Sequence, residues 1–219
     1  MWSKYHREIT KRALASQISP RALRAVVRAN LGQDVLAYQF NHDHFHFDGN
    51  QFVRSYDYME TQRALIRPAL ERGDHLAAWR AFGKLTHSAQ DFYAHSDYIP
   101  RWLARFNGGP PPPAPEVDPV SADLVHAADL RSGKLYYPLE ILAYVSPLRR
   151  FVLPFLPADS HAHMNMDGPD ISPLFEYAYH AAIKRTMLEF EKTRDELPSA
   201  LIPLFTDSGA ISDQPIAKS

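Results

Sequence analysis

The sequence contains no cysteine, which excludes disulfide bonds, thiolate zinc fingers, iron–sulfur clusters and cysteine nucleophiles. It carries almost no net charge, −1 at pH 7 from 24 basic and 25 acidic residues. A protein whose main task is to grip a phosphate polymer is usually basic, so we expect no nucleic-acid partner. No apolar run is long enough to span a bilayer, because the most apolar stretch, residues 136–157, is broken by prolines and charges. The polar opening shows no secretory signal, and we therefore expect a cytoplasmic protein.

Helical periodicity dominates the chain. Its 219 residues and 45% hydrophobic content suit one large folded domain. Apolar residues recur at helical spacing almost throughout, whereas strand-like alternation is nearly absent. We predict an all-α helical bundle over residues 1–198, interrupted by a long proline-rich loop at 107–120. Residues 199–219, which follow Pro198, are predicted as a C-terminal tail.

Local signals place the helices within this bundle. Ser19 and Pro20 suit the start of the second helix, and Ser172 and Pro173 the start of the last. Residues 41–56 are loop-like. Further helices are predicted at about 58–72, 75–98, 121–131 and 137–153.

The eleven histidines are the unusual part of the composition, and the clearest pattern is His87, Asp91 and His95. Residues at i, i+4 and i+8 are turned by only about 40° per step on an α-helix, so these three side chains share one face. Imidazole and carboxylate are the ligands that zinc uses where thiolates are lacking. The alternative for this helix taken alone is a set of buried, hydrogen-bonded histidines.

Three other segments also carry such donors. His163 and Asp167 have the i, i+4 relation, and His161 could converge with Asp167 through an irregular segment, although a polar loop explains this stretch as well. The run His42, His44, His46 follows Asp34, and the sequence does not decide which of its histidines turns inward. His6 lies one turn after Trp2. A helical bundle brings such segments together in its core, so we predict a multinuclear metal site there, with zinc as the metal.

Several strings resemble the HET-C family. They are the segment from Gly83 to Tyr98, the opening His6-Arg7-Glu8-Ile9-Thr10, the motif His46-Phe47-Asp48 and the segment Met164-Asn165-Met166-Asp167. The order of donors is also similar to that of the wider superfamily of zinc-dependent phospholipases C and single-strand nucleases, including an Asp and a His twelve apart, here Asp34 and His46. The resemblance covers roughly residues 2–195.

This resemblance implies a ligand set for up to three zinc ions. The implied ligands are His6, Asp34, His46, His87, Asp91, His95, His161, His163 and Asp167, with either His161 or His163 completing the second His/acid pair. In the secreted enzymes of that superfamily the chain starts at the tryptophan, whose amine and carbonyl bind metal. Here Met1 precedes Trp2, so we do not count Trp2 as a ligand.

The same resemblance implies a cell-death effector with a phospholipase C-like site, recruited to membranes and hydrolysing phosphodiesters of phospholipids. Asp34 is then the candidate that orients or deprotonates the attacking water. The apolar stretch 136–156, which contains Arg149 and Arg150, favours a lipid headgroup over a nucleic acid, although a simple core helix and turn is an equal alternative.

Two other functions stay open. In the first, the protein is a membrane-directed toxin whose metal site is structural, and a partner serine protease activates it by trimming residues 199–219. In the second, a weaker alternative, the protein is a zinc-dependent nuclease.

Overall fold

The computed structural model describes residues 1–35, 42–143 and 145–208. Within these ranges the fold is all-α, as predicted: the only β-type pairings are two isolated bridges, Ser96 with Ser132 and Lys134 with Ser160. The α-helices of the described residues are α1 (Ser3–Leu14), α2 (Pro20–Leu31), α3 (Phe52–Glu71), α4 (His75–His95), α5 (Tyr98–Ala104), α6 (Ala122–Val125), α7 (Leu139–Ala143), α8 (Ser146–Val152), α9 (His161–Met164), α10 (Phe175–Asp195) and α11 (Ile202–Thr206).

Helix α4 is the centre of the bundle. It packs against α2, α3 and α10, while α1 lies across α2 and α10. Its second half is buried on every side, so polar residues placed there are carried into the interior. One apolar cluster surrounds Phe92 and Tyr93, and a second surrounds Trp79 and Phe82 near the start of the helix.

Helix α2 crosses α4 at Gly83. A Cβ atom at this position would lie 2.4 Å from the Val26 carbonyl oxygen and 2.8 Å from Ala29 Cβ, so only glycine permits the approach. Ser19 caps α2 as predicted, because its hydroxyl accepts from the Ala22 amide at 3.1 Å. The helix is followed by a 3-10 turn, Gly32–Asp34, that brings Asp34 towards α4.

Several helix boundaries differ from the predicted ones. Helix α3 begins at Phe52, inside the stretch expected to be a loop, and α10 begins at Phe175 rather than Pro173. The Ser172 hydroxyl still accepts from the Leu174 amide at 3.2 Å, but this bond precedes the helix. Helix α4 ends at His95 because Ser96 is extended, and a new helix with Pro100 in its first turn follows.

Two predicted helices are much shorter than expected. The stretch 121–131 contains only α6, and 137–153 forms the two short helices α7 and α8. The proline-rich loop contains one 3-10 turn, Ala114–Glu116, and is fixed to the bundle by its backbone. Its carbonyls accept from Tyr93, Tyr98, Tyr177 and Lys184.

The segment after Pro198 requires a correction. The part that the structure describes, residues 199–208, is not a loose tail but forms a 3-10 turn and α11. Phe205 is buried against Phe82 and Phe190, and its carbonyl accepts from Trp79 Nε1 at 2.7 Å. Apolar packing therefore makes this segment part of the core; residues 209–219 lie outside the described ranges.

Residues 132–162 form a separate segment that begins beside His95, where the Gly133 amide donates to the His95 carbonyl, and ends in α9; we call it the excursion. Helices α7 and α8 lie within it and pack mainly on each other. None of the helices in the described ranges combines the length and the apolar character that crossing a bilayer requires.

Candidate metal centre

Helix α4 supplies the framework of the site. His87, Asp91 and His95 project from one face of this buried helix, as their spacing predicts. His87 Nε2 lies 2.9 Å and His95 Nε2 3.8 Å from opposite oxygens of the Asp91 carboxylate. This face of α4 thus carries one carboxylate with one imidazole on each side of it.

Besides His95, four groups lie within 3.1 Å of the Asp91 carboxylate, two at each oxygen. Oδ1 lies 2.7 Å from the Met1 amine and 3.1 Å from His6 Nε2. Oδ2 lies 3.0 Å from His46 Nδ1 and 2.9 Å from His87 Nε2. Both oxygens of the Asp91 carboxylate therefore lie next to nitrogen atoms, and Asp91 would be among the residues that hold a bound metal.

Residues 42–50 contribute His46 and Asp48. Phe47 between them has a positive φ of 57° and is buried against Phe92, so the residues on either side can both face the cluster. His42 and His44 instead contact Phe45. Of the three alternating histidines, only His46 turns inward.

The structure also separates the two histidines of the second predicted pair. His161, at the start of α9, is buried with its Nε2 atom 3.8 Å from Asp48 Oδ1. His163 is exposed, and its Nε2 atom lies 3.0 Å from the Leu153 carbonyl, away from the cluster. Asp167 returns to the site, with Oδ1 3.1 Å from His95 Nε2.

Hydrogen bonds behind the cluster orient two of the imidazoles. His6 Nδ1 lies 2.6 Å from Gln90 Oε1, while Gln90 Nε2 donates to the hydroxyls of Thr10 and Thr186. This pattern makes the glutamine oxygen the acceptor, so His6 Nδ1 carries the proton and Nε2 presents its lone pair to the cluster. His95 is arranged in the same way, because its Nδ1 atom donates to the His46 carbonyl at 2.9 Å.

Lone pairs directed at carboxylates repel unless a cation or proton lies between them. In the described ranges, two buried atoms that lie near carboxylate or imidazole groups of the cluster, His6 Nε2 and Asp48 Oδ1, have no partner of hydrogen-bond geometry. The same is true of His46 Nε2 and His87 Nδ1, which are the ring nitrogens opposite those next to Asp91. Leaving such atoms unsatisfied costs about 1–3 kcal/mol each. The donor set therefore fits a bound metal better than a closed network of hydrogen bonds.

The donors fall into three groups, each with ligand atoms within 4.8 Å of one another. They are His6–Asp34–His87, His46–His87–Asp91 and Asp48–His95–His161. His87 belongs to two of them. Asp91, a member of the second group, also lies within 4 Å of His6 in the first and His95 in the third. These buried histidines and aspartates can hold a metal ion, and their number is compatible with more than one.

Electrostatics keep the carboxylates ionised. Burial by itself raises the pKa of Asp91 and Asp167, but the Met1 amine and nearby histidines outweigh it, and both pKa values lie well below the usual range. Burial lowers the amine's own pKa, but the two carboxylates overcome this effect and raise it to about 11. In this structure the Met1 ammonium is therefore the cation that lies between Asp91, Asp167 and His95.

His87 is the uncharged counterpart of these groups. Its burial lowers its pKa to about 4, against the opposing effect of Asp91. At neutral pH its imidazole is neutral, the form in which histidine binds metal.

Asp34 lies at the opening of the site. Its carboxylate accepts from the Ser3 hydroxyl at 2.9 Å and lies 3.6 Å from His87 Nε2. Burial raises its pKa, but His87 and His6 reverse this effect and hold the pKa below the ordinary value. An open cavity of about 400 Å³ begins here and is lined by Met1, Trp2, Ser3, Asp34, His46, Asp48, His95, Leu135, His161 and Asp167.

Three contributors to the site were not predicted. Asp48 belongs to the third ligand group, Gln90 orients His6, and the Met1 amine lies 2.9 Å from Asp167 Oδ1. The spacing His46-x-Asp48 could have indicated Asp48 as a ligand. When the residue between them turns sharply, as Phe47 does, the two flanking side chains can face the same cluster. The Trp2 amide and carbonyl are used within the backbone: the amide donates to the Asp167 carbonyl, and the carbonyl accepts from His6.

Fold and site together define an all-α bundle with a buried His/Asp cluster that can hold a metal ion. The chain is similar to a family described as the VWA7 N-terminal domain, whose sequence profile matches residues 5–103. The match is less than half of the chain. It contains the donors of α1 and α4 and ends before His161 and Asp167. No curated protein and no solved structure matches the chain.

Proposed function

We propose that this protein is a HET-C-like effector with a zinc-dependent, phospholipase C-like site that hydrolyses phosphodiesters of membrane phospholipids. The observation that carries the proposal is the position of Asp91, which is buried, contacts members of all three groups of His/Asp donors and lies close to a cavity that opens to solvent. A purely structural site would need the donors but not the opening.

The chemistry of the ligands favours zinc as the bound metal. All donors are imidazoles and carboxylates, and two of the imidazoles, His6 and His95, are held by hydrogen bonds to their second nitrogen, as at catalytic zinc sites. When bound, clustered zinc ions would lower the pKa of a water molecule and neutralise the negative charge of a phosphodiester.

The residues around the cavity would bind the metal, orient water and line the substrate site. The buried carboxylates of Asp91 and Asp167 stay ionised and hold the positive charge in the floor of the cavity. Asp34 at the opening is the group placed to orient the attacking water and to accept its proton. Trp2 and Leu135 line the same cavity and give it an apolar wall.

A membrane lipid is the preferred source of the phosphodiester. The chain as a whole has a net charge of −1, which gives little general attraction for nucleic acids. The apolar excursion begins at the edge of the cavity, where Leu135 lines the opening. We therefore rank single-stranded nucleic acid second as a substrate.

A metal that only stabilises the bundle is the competing function. The complete burial of His6 and His87 favours it, because those donors do not reach solvent. In that case the protein acts on membranes without hydrolysis. Serine-protease control by removal of residues 199–219 would then also disrupt the core, since Phe205 is buried there.

One experiment separates these functions. The purified protein is analysed for metals per chain and assayed on phosphatidylcholine vesicles, on a soluble nitrophenyl phosphodiester and on single-stranded DNA. Asp34→Asn is compared with His87→Ala, and His163→Ala is the matched control because His163 faces away from the cluster.

We expect zinc in the parent protein and hydrolysis of vesicles and of the soluble ester. Asp34→Asn should lose at least about a hundredfold in rate and no more than about one zinc ion per chain, because Asp34 belongs to one ligand group. His87→Ala should lose the activity and more of the zinc, because His87 belongs to two groups. His163→Ala should behave as the parent. Zinc without activity on any substrate would support the structural site instead, and cleavage restricted to DNA would support a nuclease. A protein without metal would refute all three metal-based functions.

A further inference from the structure

Exposed apolar side chains are concentrated in the excursion. Of the sixteen large hydrophobic residues exposed in the described ranges, nine fall between residues 135 and 155. They are Leu135, Tyr137, Leu139, Ile141, Leu142, Val145, Leu148, Phe151 and Phe155. Scattered exposed hydrophobics are normal, but such a concentration marks an interaction surface.

The excursion is folded, so this exposure does not reflect a missing internal structure. It has a small core of its own, formed by Ala143, Val152, Leu156 and Ala162. The buried Glu140 carboxylate joins its two ends by accepting from the Tyr136 amide at 2.7 Å and from the Ala162 amide. The outer faces of α7 and α8 are left uncovered once this core has formed.

The root of the excursion is attached to the candidate metal centre. The Gly133 amide donates to the His95 carbonyl at 3.0 Å, and the Lys134 carbonyl accepts from the His161 amide at 2.9 Å. A Cβ atom at Gly133 would lie 2.6 Å from His161 Cα, so the backbone segments around these two residues are in close contact. The apolar surface therefore projects from the edge of the cavity that the metal ligands line.

Charge indicates what this surface contacts. Glu140 is the only acidic residue between positions 135 and 158, and it is buried. Arg149 and Arg150 are the basic residues of the same stretch, and Arg150 lies over the Phe151 ring at 4.6 Å. The other acidic residue of the excursion, Asp159, is partly exposed and forms an ion pair with Lys134 at 2.9 Å. Aromatic and aliphatic side chains beside arginine, with the one exposed acid paired to a lysine, suit the interface of a bilayer that contains anionic lipids.

We propose that the excursion is a membrane-docking element that places the opening of the metal centre at the surface of an anionic bilayer. The outer apolar side chains, Phe151 and Phe155 foremost, enter the headgroup region, and Arg150 contacts lipid phosphates. The choice of a bilayer as the partner rests on the proposed function, whose substrate is a membrane phosphodiester.

The test measures binding of the full chain to vesicles by sedimentation, with phosphatidylcholine alone and with added phosphatidylserine. The variant Phe151→Ser/Phe155→Ser is compared with Met187→Ser/Leu188→Ser, which changes two exposed apolar residues on α10. Arg150→Glu tests the charge. Hydrolysis of a soluble phosphodiester and the molar mass in solution are measured in parallel.

We expect the excursion variant to lose about tenfold or more in vesicle partitioning, with unchanged hydrolysis of the soluble ester, and the α10 variant to bind as the parent does. Arg150→Glu should weaken binding on the anionic vesicles more than on the neutral ones. If the parent protein binds vesicles but hydrolyses no substrate, the docking element is supported and the proposed function is refuted. If it hydrolyses the soluble ester but does not bind vesicles, the docking element is refuted and the hydrolytic site is supported.

Two further results would overturn the docking element. One is equal loss of binding in the excursion and α10 variants. The other is a parent dimer that becomes monomeric only in the excursion variant, which would assign the surface to a second copy of the chain.

Discussion

At the scale of single residues, the site depends on which atom of each side chain faces the cluster. His6 and His95 both present Nε2, because Gln90 and the His46 carbonyl engage their Nδ1 atoms. Asp91 uses one oxygen for His6 and the other for His46 and His87. The spacing of donors along the chain indicates a shared face but leaves these choices open.

Asp48 gives a prediction at this scale. Its carboxylate forms the third ligand group with His95 and His161, apart from the two groups near His87. We expect Asp48→Asn to reduce the bound metal by about one ion per chain and to leave the rest in place, since an amide is a much weaker donor than a carboxylate. Elemental analysis of the folded protein measures this change.

Asp57→Asn is the matched control for that variant, because Asp57 is an exposed aspartate on α3. It should retain the metal content of the parent. Equal metal content in Asp48→Asn and the parent would exclude Asp48 as a ligand.

At the scale of elements, α4 connects the core to the site. Its burial carries the donors inward, and the crossing with α2 at Gly83 fixes how close the 3-10 turn with Asp34 can come. The distance between α2 and α4 at this crossing depends on the absence of a Cβ atom at Gly83. The hydrophobic pattern of either helix alone does not show it.

Gly83→Ala is predicted to destabilise the protein by about 1–3 kcal/mol, since the added methyl group meets the Val26 carbonyl and Ala29. Gly32→Ala is the control, because a Cβ atom there has nothing within 4 Å and its φ of −66° suits alanine. It should be neutral or stabilising by up to about 1 kcal/mol. Urea unfolding of both variants measures the difference, and equal stabilities would show that the crossing tolerates a side chain.

At the scale of the whole molecule, a buried ion network joins α3 to α10. Arg63 pairs with Glu189 and donates to Thr193 at 2.7 Å, while Arg185 Nε donates to Glu189 at 2.5 Å. Burial raises the Glu189 pKa, but the two arginines outweigh it and hold the pKa below its ordinary value of 4.5. The network lies away from the metal cluster, so its effect on folding can be measured apart from the metal.

Glu189 gives the pH dependence. A depressed carboxyl pKa means that the unfolded chain binds more protons, so the contribution to stability is present above about pH 4.5 and is lost as the pH falls through the folded pKa. Glu189→Gln removes the carboxylate from buried Arg185 and leaves buried Arg63 with only the exposed Glu60, so it is expected to cost about 3–5 kcal/mol near neutral pH. Its stability should also depend less on pH in the acid range than that of the parent.

Urea unfolding between about pH 3 and 7, with a chelator present to remove metal effects, measures this dependence. Glu191→Gln on the same helix is the control, because Glu191 is exposed. A Glu189→Gln variant with the parent's acid profile would rule out this network as a source of the pH dependence.

Much of the architecture could be predicted from the sequence. Helical periodicity indicated an all-α chain, and Ser19 with Pro20 marked the start of α2, because these signals are local. Boundaries set by distant contacts were wrong: α3 begins earlier than predicted, and residues 199–208 are part of the core rather than a tail. In the latter case the burial of Phe205 depends on Phe82 and Phe190, which lie far away in sequence.

The sequence by itself determined which side chains could act as ligands: without cysteine, only imidazoles and carboxylates remain, and the spacing of His87, Asp91 and His95 puts them on one helix face. Only the tertiary structure decided that His161 faces the cluster while His163 does not, and that Asp48 joins it. The physical reason is that periodicity fixes directions within one helix, whereas the direction of a side chain in an irregular segment is set by what packs around it. Phe47, buried between His46 and Asp48, is the clearest case.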